Sequence, residues 1–246
     1  MNYLMMITSD YVHNSERNAT MRREIPKWID EGDARGRKFG FPLKHPNEGV
    51  SVQVRDGATL VTDGPFVETK EFLGGFDVID CANLDEAIEL AAKHPSSWYH
   101  TIEVRPFFEA GPELPSKVDP PAAGRQRYLL LIYVDGVPEP NGEDAEIMRE
   151  GLAWGEAVTA SGHQVFGHAL HGLDTATSVR VRNGETVLTD GPFVETKEFI
   201  AGFDILDCTS LEEATALAAK HPIARYHHIE VRPFESEDAE PDSSGR

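Results

Sequence analysis

The chain has 246 residues, 40% of them hydrophobic and 26% charged, the composition of an ordinary globular protein. Its formal net charge of −19 repels phosphate backbones and anionic bilayers, which argues against nucleic-acid or membrane-surface binding and favours a neutral small molecule or a basic partner protein. The length admits one large domain or two small ones.

The first apolar run, Met1–Ile7, has no basic flank and meets Thr8-Ser9-Asp10 at once, too short for a signal peptide or a membrane span. It reads as a first strand, Tyr3–Thr8, in a cytoplasmic protein. Leu4 and Met6 occupy one face, Met5 and Ile7 the other, so the strand is expected to be covered on both sides. A helix follows near Arg17–Gly32. Asp56-Gly57 is a hairpin dipeptide between alternating strands. Gly75–Cys81 is a further strand. Leu84–His94 is a helix, with Asn83 as N-cap, Asp85 and Glu86 in its first turn and Pro95 just beyond its end. Tyr99–Arg105 is a last strand. Pro and Gly then crowd between Ala110 and Gly124, as in an extended connector.

The same series recurs: Tyr128–Tyr133, a helix near Glu143–Ser161, Asn183-Gly184, Gly202–Cys208, Leu211–His221 behind Ser210, and Tyr226–Arg232. Thr62–Phe72 is identical to Thr189–Phe199, and Ser51–Phe107 matches Ser178–Phe234 without a gap at 39 of 57 positions. This is a domain duplication. The expected organisation is a first domain at 1–108, a linker at 109–126, a second domain at 127–235 and a disordered acidic tail at 236–246. The order β-α-β-β-β-α-β predicts an α+β, ferredoxin-like plan: an antiparallel sheet with two helices on one face. Tyr3 and Met5 are then expected on the opposite face, covered by the tandem copy, so that two facing sheets enclose a cleft.

Asp63-Gly64-Pro65-Phe66-Val67-Glu68-Thr69-Lys70-Glu71, then Gly74-Gly75-Phe76, Leu84-Asp85-Glu86-Ala87 and Val104-Arg105-Pro106, closely resembles the signature of the YCII-related, or DGPF, family. The second copy repeats it through Asp190–Glu198, Gly202-Phe203, Leu211–Ala214 and Val231-Arg232-Pro233. The resemblance implies two ferredoxin-like units packed as a pseudo-dimeric α+β barrel. It also implies small-molecule chemistry at a cleft, with a His–Asp pair, and a possible link to an extracytoplasmic-function sigma factor. It assigns no reaction.

Among candidate residues, Asp63 and Asp190 begin Asp-Gly-Pro turns. Each either braces its turn or is aimed into the cleft as a general base, a role that partial burial favours by raising the carboxyl pKa. Glu68 and Lys70, with Glu195 and Lys197, share a strand face and form either a polar substrate-binding pair or an exposed ion pair. His168 is the candidate catalytic imidazole, present in the second copy only. Cys81 and Cys208 read as buried strand thiols. Glu103 with Arg105, and Glu230 with Arg232, share the opposite face of the last strand and read as inter-repeat ion pairs, with a catalytic role as the alternative. No spacing points to a metal, and no glycine-rich phosphate loop or cofactor lysine motif points to a cofactor. The copies differ in charge: residues 11–50 carry eight Lys/Arg and six Asp/Glu, residues 135–177 one and eight. Two readings stand: a cofactor-independent small-molecule enzyme or binder of proton-transfer or lyase type, and a non-catalytic regulator that binds a sigma factor or ligand.

Overall fold

A computed structural model describes the chain except residues 11, 13, 66–70, 109–111, 116, 137–141, 194–196 and 236–246, and except the side chains of 142–144. The first repeat runs β1 (Asn2–Asp10), α1 (Ser15–Asp33), β2 (Arg37–Pro42), β3 (Val50–Arg55), β4 (Ala58–Asp63), β5 (Glu71–Asp80), α2 (Leu84–Lys93) and β6 (Ile102–Pro106). The second runs β7 (Gln126–Val134), α3 (Gly142–Ala160), β8 (Gln164–Ala169), β9 (Thr177–Arg182), β10 (Glu185–Asp190), β11 (Phe199–Cys208), α4 (Leu211–Ala218) and β12 (Ile229–Pro233). Local chemistry accounts for the boundaries. Asp56 and Gly57, like Asn183 and Gly184, take left-handed φ values of 51°, 76°, 53° and 81°, as a two-residue hairpin turn requires. Asn83 and Ser210 accept from Glu86 N and Glu213 N as helix caps.

The strands form two six-stranded antiparallel sheets, and neither belongs to one repeat. One is ordered β10-β9-β6-β1-β5-β2, the other β4-β3-β12-β7-β11-β8. The repeats exchange their hairpins: β9–β10 extends the first repeat's sheet at β6, and β3–β4 extends the second's at β12. Sequence reading kept each hairpin in its own repeat, because a turn dipeptide marks a hairpin but not the edge it joins. It also missed β2 and β8. Arg37–Pro42 carries glycine, proline and charge among its apolar residues, Gln164–Ala169 carries glycine, glutamine and histidine, and only pairing with β5 and β11 makes them strands.

The sheets meet through a shared core. Leu4, Met6, Phe39, Phe76 and Val78 pack there with Leu129, Leu131, Phe166, Phe203 and Ile205. Tyr3 and Met5 instead lie under the helices with Trp28, Leu90 and Val179, the reverse of the expected facing. Tyr128 and Leu130 do the same with Trp154, Ala214 and Val52. Each helix-side core thus holds a valine from the exchanged hairpin. A strand apolar on both faces cannot reveal which face takes the helices. The connector is not merely a spacer: Leu114 and Val118 pack against the inter-sheet core. The predicted tail lies outside the described residues.

Candidate functional site

The site is built from three local features. First, Gly74 is an extra residue in β5: Ile7 pairs with Gly75 and Thr8 with Leu73. The bulge resets the alternation of side chains, so Leu73 joins Phe76 and Val78 in the inter-sheet core. Ala201 does the same in β11, between Ile200 and Gly202. Second, β6 turns Ile102 and Val104 toward the helices, which leaves Thr101, Glu103 and Arg105 on the inner face; His228, Glu230 and Arg232 follow the same alternation in and before β12. Third, the Asp-Gly-Pro turns end the exchanged hairpins. Ser51 Oγ donates to Gly64 O at 3.2 Å and Ser178 Oγ to Gly191 O at 2.9 Å, bracing each turn beside the opposite repeat's last strand.

These features enclose a cavity of about 390 Å³ between the repeats. Its apolar wall includes Phe72, Phe193, Phe199, Leu73, Ile200 and three prolines, Pro46, Pro65 and Pro192. Its polar wall carries Glu71, Glu103, Arg105, Tyr133, Asp135, Lys197, Glu198, His228, Glu230 and Arg232.

Two buried ion pairs frame it. Arg105 Nε donates to Glu103 Oε1 at 2.9 Å, and its Nη1 to Ile200 O of the other repeat at 3.0 Å. Arg232 Nη1 donates to Glu230 Oε1 at 3.0 Å, and its Nη2 to Leu73 O of the other repeat at 3.1 Å. The ion pairs expected between the copies lie instead along single strands, because i and i+2 share a strand face, and it is the guanidinium that crosses to the other copy. Each arginine's charge is met by a carboxylate, so these cations are structural fasteners rather than open anion receptors.

Beside them His228 Nδ1 stands 3.1 Å from Glu198 Oε2. Its ring stacks on Tyr133 with centroids 4.3 Å apart and planes 18° apart. Burial holds the imidazole below its usual pKa, against the upward pull of Glu198 and Glu230. The ring is therefore neutral at pH 7, with Nδ1 the nitrogen nearer the carboxylate. Tyr133 donates to Glu230 Oε2 at 3.3 Å, and burial, reinforced by Glu230, pushes its phenol well above 10. His227 adjoins, with Nδ1 3.5 Å from Glu198 and Nε2 3.7 Å from Asp135. The arrangement is a carboxylate-oriented imidazole at the edge of an aromatic cavity.

The structure distributes the predicted site residues unevenly. Asp63 and Asp190 are exposed at the ends of β4 and β10, and neither lines this cavity; Asp190 borders a shallower pocket with Met1, Tyr3 and Asp174. The motif delivers Pro65, Pro192 and Phe193 to the wall instead, and Phe193 N donates to Glu103 Oε2 at 3.1 Å. His168 stacks on Phe107 at 4.5 Å, sets Nδ1 2.9 Å from Ala169 O and also lies outside the cavity lining, its pKa lowered by burial. Lys197 lines the cavity, but its side chain is 88% exposed, 4.0 Å from Asp135. Glu68, Lys70 and Glu195 lie outside the described residues. Cys81 and Cys208 are buried free thiols, raised by burial to about 11 and about 12. Among the described residues no His/Cys/Asp/Glu cluster could hold a metal. His228 and Tyr133 were missed. A signal existed: His228 replaces Thr101 within an otherwise shared Tyr-His-x-Ile-Glu-Val-Arg-Pro-Phe segment, in phase with Glu230 and Arg232.

Comparison with known proteins agrees with this duplicated α+β architecture. The YCII-related domain model matches residues 1–110 and again residues 127–236, so the chain belongs to the YCII-related family as a tandem pair of its domains. An alignment over 64 residues that covers 24% of this chain is 47% identical to "Uncharacterized protein R00369" of Rhizobium meliloti (strain 1021). That alignment spans 51% of the relative's length, about half. No helix among the described residues is long and apolar enough to cross a membrane.

Proposed function

We propose that the two repeats act as a pseudo-dimer of ferredoxin-like units whose shared cavity binds a small, largely apolar molecule and moves a proton on it without a cofactor. His228 is the general base. Glu198 fixes its tautomer, and Nε2 takes a proton from a weakly acidic C–H or O–H of the ligand. Tyr133 supports the ring by stacking and stays protonated throughout. The two arginines, already met by Glu103 and Glu230, hold the cavity's shape. Asp63 and Asp190 belong to the turns that bring the prolines and Phe193 to the wall.

The observation that carries this reading is the buried His228 beside the half-buried Glu198, both lining a cavity with three phenylalanines. Cavities of a few hundred Å³ with apolar walls and a few convergent polar groups are the usual form of small-molecule sites. The test is a screen of small uncharged aromatic compounds against the full chain, by thermal shift and by NMR of the imidazole nitrogens. Ligands are expected to raise the melting temperature and move the His228 resonances, and His228→Asn is expected to keep the fold while losing that response. Ligands that bind elsewhere and leave His228 unmoved would remove it from the site.

A further inference from the structure

Given His228 as the base, we infer that only the second repeat's half of the cavity carries the chemistry, and that Arg180 is the residue that retires the first half. The backbone offers two equivalent half-sites. Glu71 on β5 corresponds to Glu198 just before β11, and Asp10, paired with Glu71 across β1–β5, corresponds to Asp135 just past β7. His100 corresponds to His227, and Thr101 to His228. The carboxylates and one histidine are therefore present twice, but their partners differ.

In the first half, arginines meet both carboxylates. Arg180 reaches from the exchanged strand β9 and places Nη2 3.0 Å from Glu71 Oε1 and 3.2 Å from its Oε2. Thr8 and Thr101 hydroxyls donate to Glu71 Oε2 at 2.9 and 3.2 Å. Arg17 from α1 binds Asp10 through two donors, at 2.8 and 3.1 Å, and holds that carboxyl below its usual range. In the second half imidazoles stand against the carboxylates: His228 and His227 at Glu198, and His227 at Asp135. Gln53 occupies the place on β3 that Arg180 occupies on β9. A carboxylate held by a guanidinium and two hydroxyls is a fixed ion pair, because guanidinium neither gives nor takes a proton at any physiological pH. A carboxylate held by imidazole can orient a base. Duplication in one chain lets the two halves differ in this way, whereas a symmetric dimer of identical domains cannot.

It follows that Arg180 is a specificity-setting and positioning residue, and that the reacting atom of a bound ligand lies toward β7, β11 and β12. The experiment is long-range proton–nitrogen NMR of the histidine side chains in the full chain, wild type against Thr101→His/Arg180→Gln, which brings the second half's histidine to Glu71 and removes its arginine while Thr8 and Arg17 stay in place. In the wild type, His228 is expected to be neutral at pH 7 with its proton on Nδ1. In the double variant the new imidazole at position 101 is expected to show the same signature, and adding Glu71→Gln is expected to abolish it. A new imidazole that titrates near 6.5 like a free histidine, or that carries its proton on Nε2, overturns the role given to Arg180. If instead wild-type His228 itself carries the proton on Nε2, the base assignment fails while the comparison of the halves is untouched. Should the double variant not fold, Arg180→Gln alone reports through His100. Burial chiefly, and Arg17 and Arg180 with it, hold that imidazole's pKa down, so losing Arg180 is expected to move its titration up; an unmoved His100 counts against the proposal.

Discussion

Asp77 and Asp204 occupy the same place in the two repeats, and the difference between them shows what a duplicated backbone enforces and what it leaves open. Both carboxylates are buried beneath a glycine that tolerates nothing larger. A Cβ on Gly40 would meet Asp77 Oδ1 at 1.8 Å, and one on Gly167 would meet Asp204 Oδ1 at 1.9 Å. The glycine, the aspartate and their strand pairing are thus one unit, retained in both copies. The partner is not. Arg37 Nε donates to Asp77 at 2.6 Å, while Gln164 stands at Arg37's position and gives Asp204 an amide hydrogen bond only. Burial pushes both carboxyls up. Arg37 works against that in the first repeat, and its own guanidinium is held charged in return. Asp204 has no cation among its described neighbours, only the Gln164 amide working against burial, yet both carboxyls reach about 7.

The largest effect should come from making the first repeat resemble the second. Arg37→Gln removes the cation from a buried pair, and such losses cost about 3–5 kcal/mol. Chemical denaturation at pH 7 is expected to show a drop of that size, and a loss within the error of the midpoint would mean that Arg37 does not stabilise Asp77. The next effect has the opposite sign and depends on pH. Asp204 titrates near 3.8 when unfolded and near 7 when folded, so the folded state favours its protonated form. The contribution of Asp204 is complete below pH 4 and drains away as pH rises to 7. Asp204→Asn, which does not titrate, should match the wild type near pH 4 and exceed it by about 4 kcal/mol above pH 7. A difference curve that is flat between pH 4 and 7 would remove Asp204 as the cause. The smallest effect sharpens the comparison where the repeats do agree. Asn83→Ala and Ser210→Ala each remove one helix cap and should each cost about 1 kcal/mol. Melting curves that separate the two caps by much more than this would show that α2 and α4 are not equivalent.

Half of the candidate site could be read in the sequence, and the divide follows the range of the interactions involved. The Glu–Arg stripe of the last strands was legible because strand alternation is local. So was the involvement of the Asp-Gly-Pro motif, although the motif contributes proline and phenylalanine rather than its carboxylate. His168 drew attention as an unmatched histidine, yet it stacks on Phe107 outside the cavity lining. His228 shares the phase of Glu230 and Arg232, but its partners Glu198 and Tyr133 come from distant segments that no local pattern joins to it. Tyr133 looked like the end of an apolar strand; its meeting with Glu230 spans 97 residues of chain.

By itself the sequence determined the duplication, the helices with their caps, the hairpin turns and the family, since each depends on residues a few positions apart or on direct identity. Only tertiary structure decided that the hairpins exchange between sheets, that Leu4 and Met6 rather than Tyr3 and Met5 face the other repeat, and that bulges at Gly74 and Ala201 reset the strands lining the cavity. Those outcomes depend on which distant edges and faces pack together, and the free energy of that choice is summed over contacts between the two halves rather than carried by any short segment.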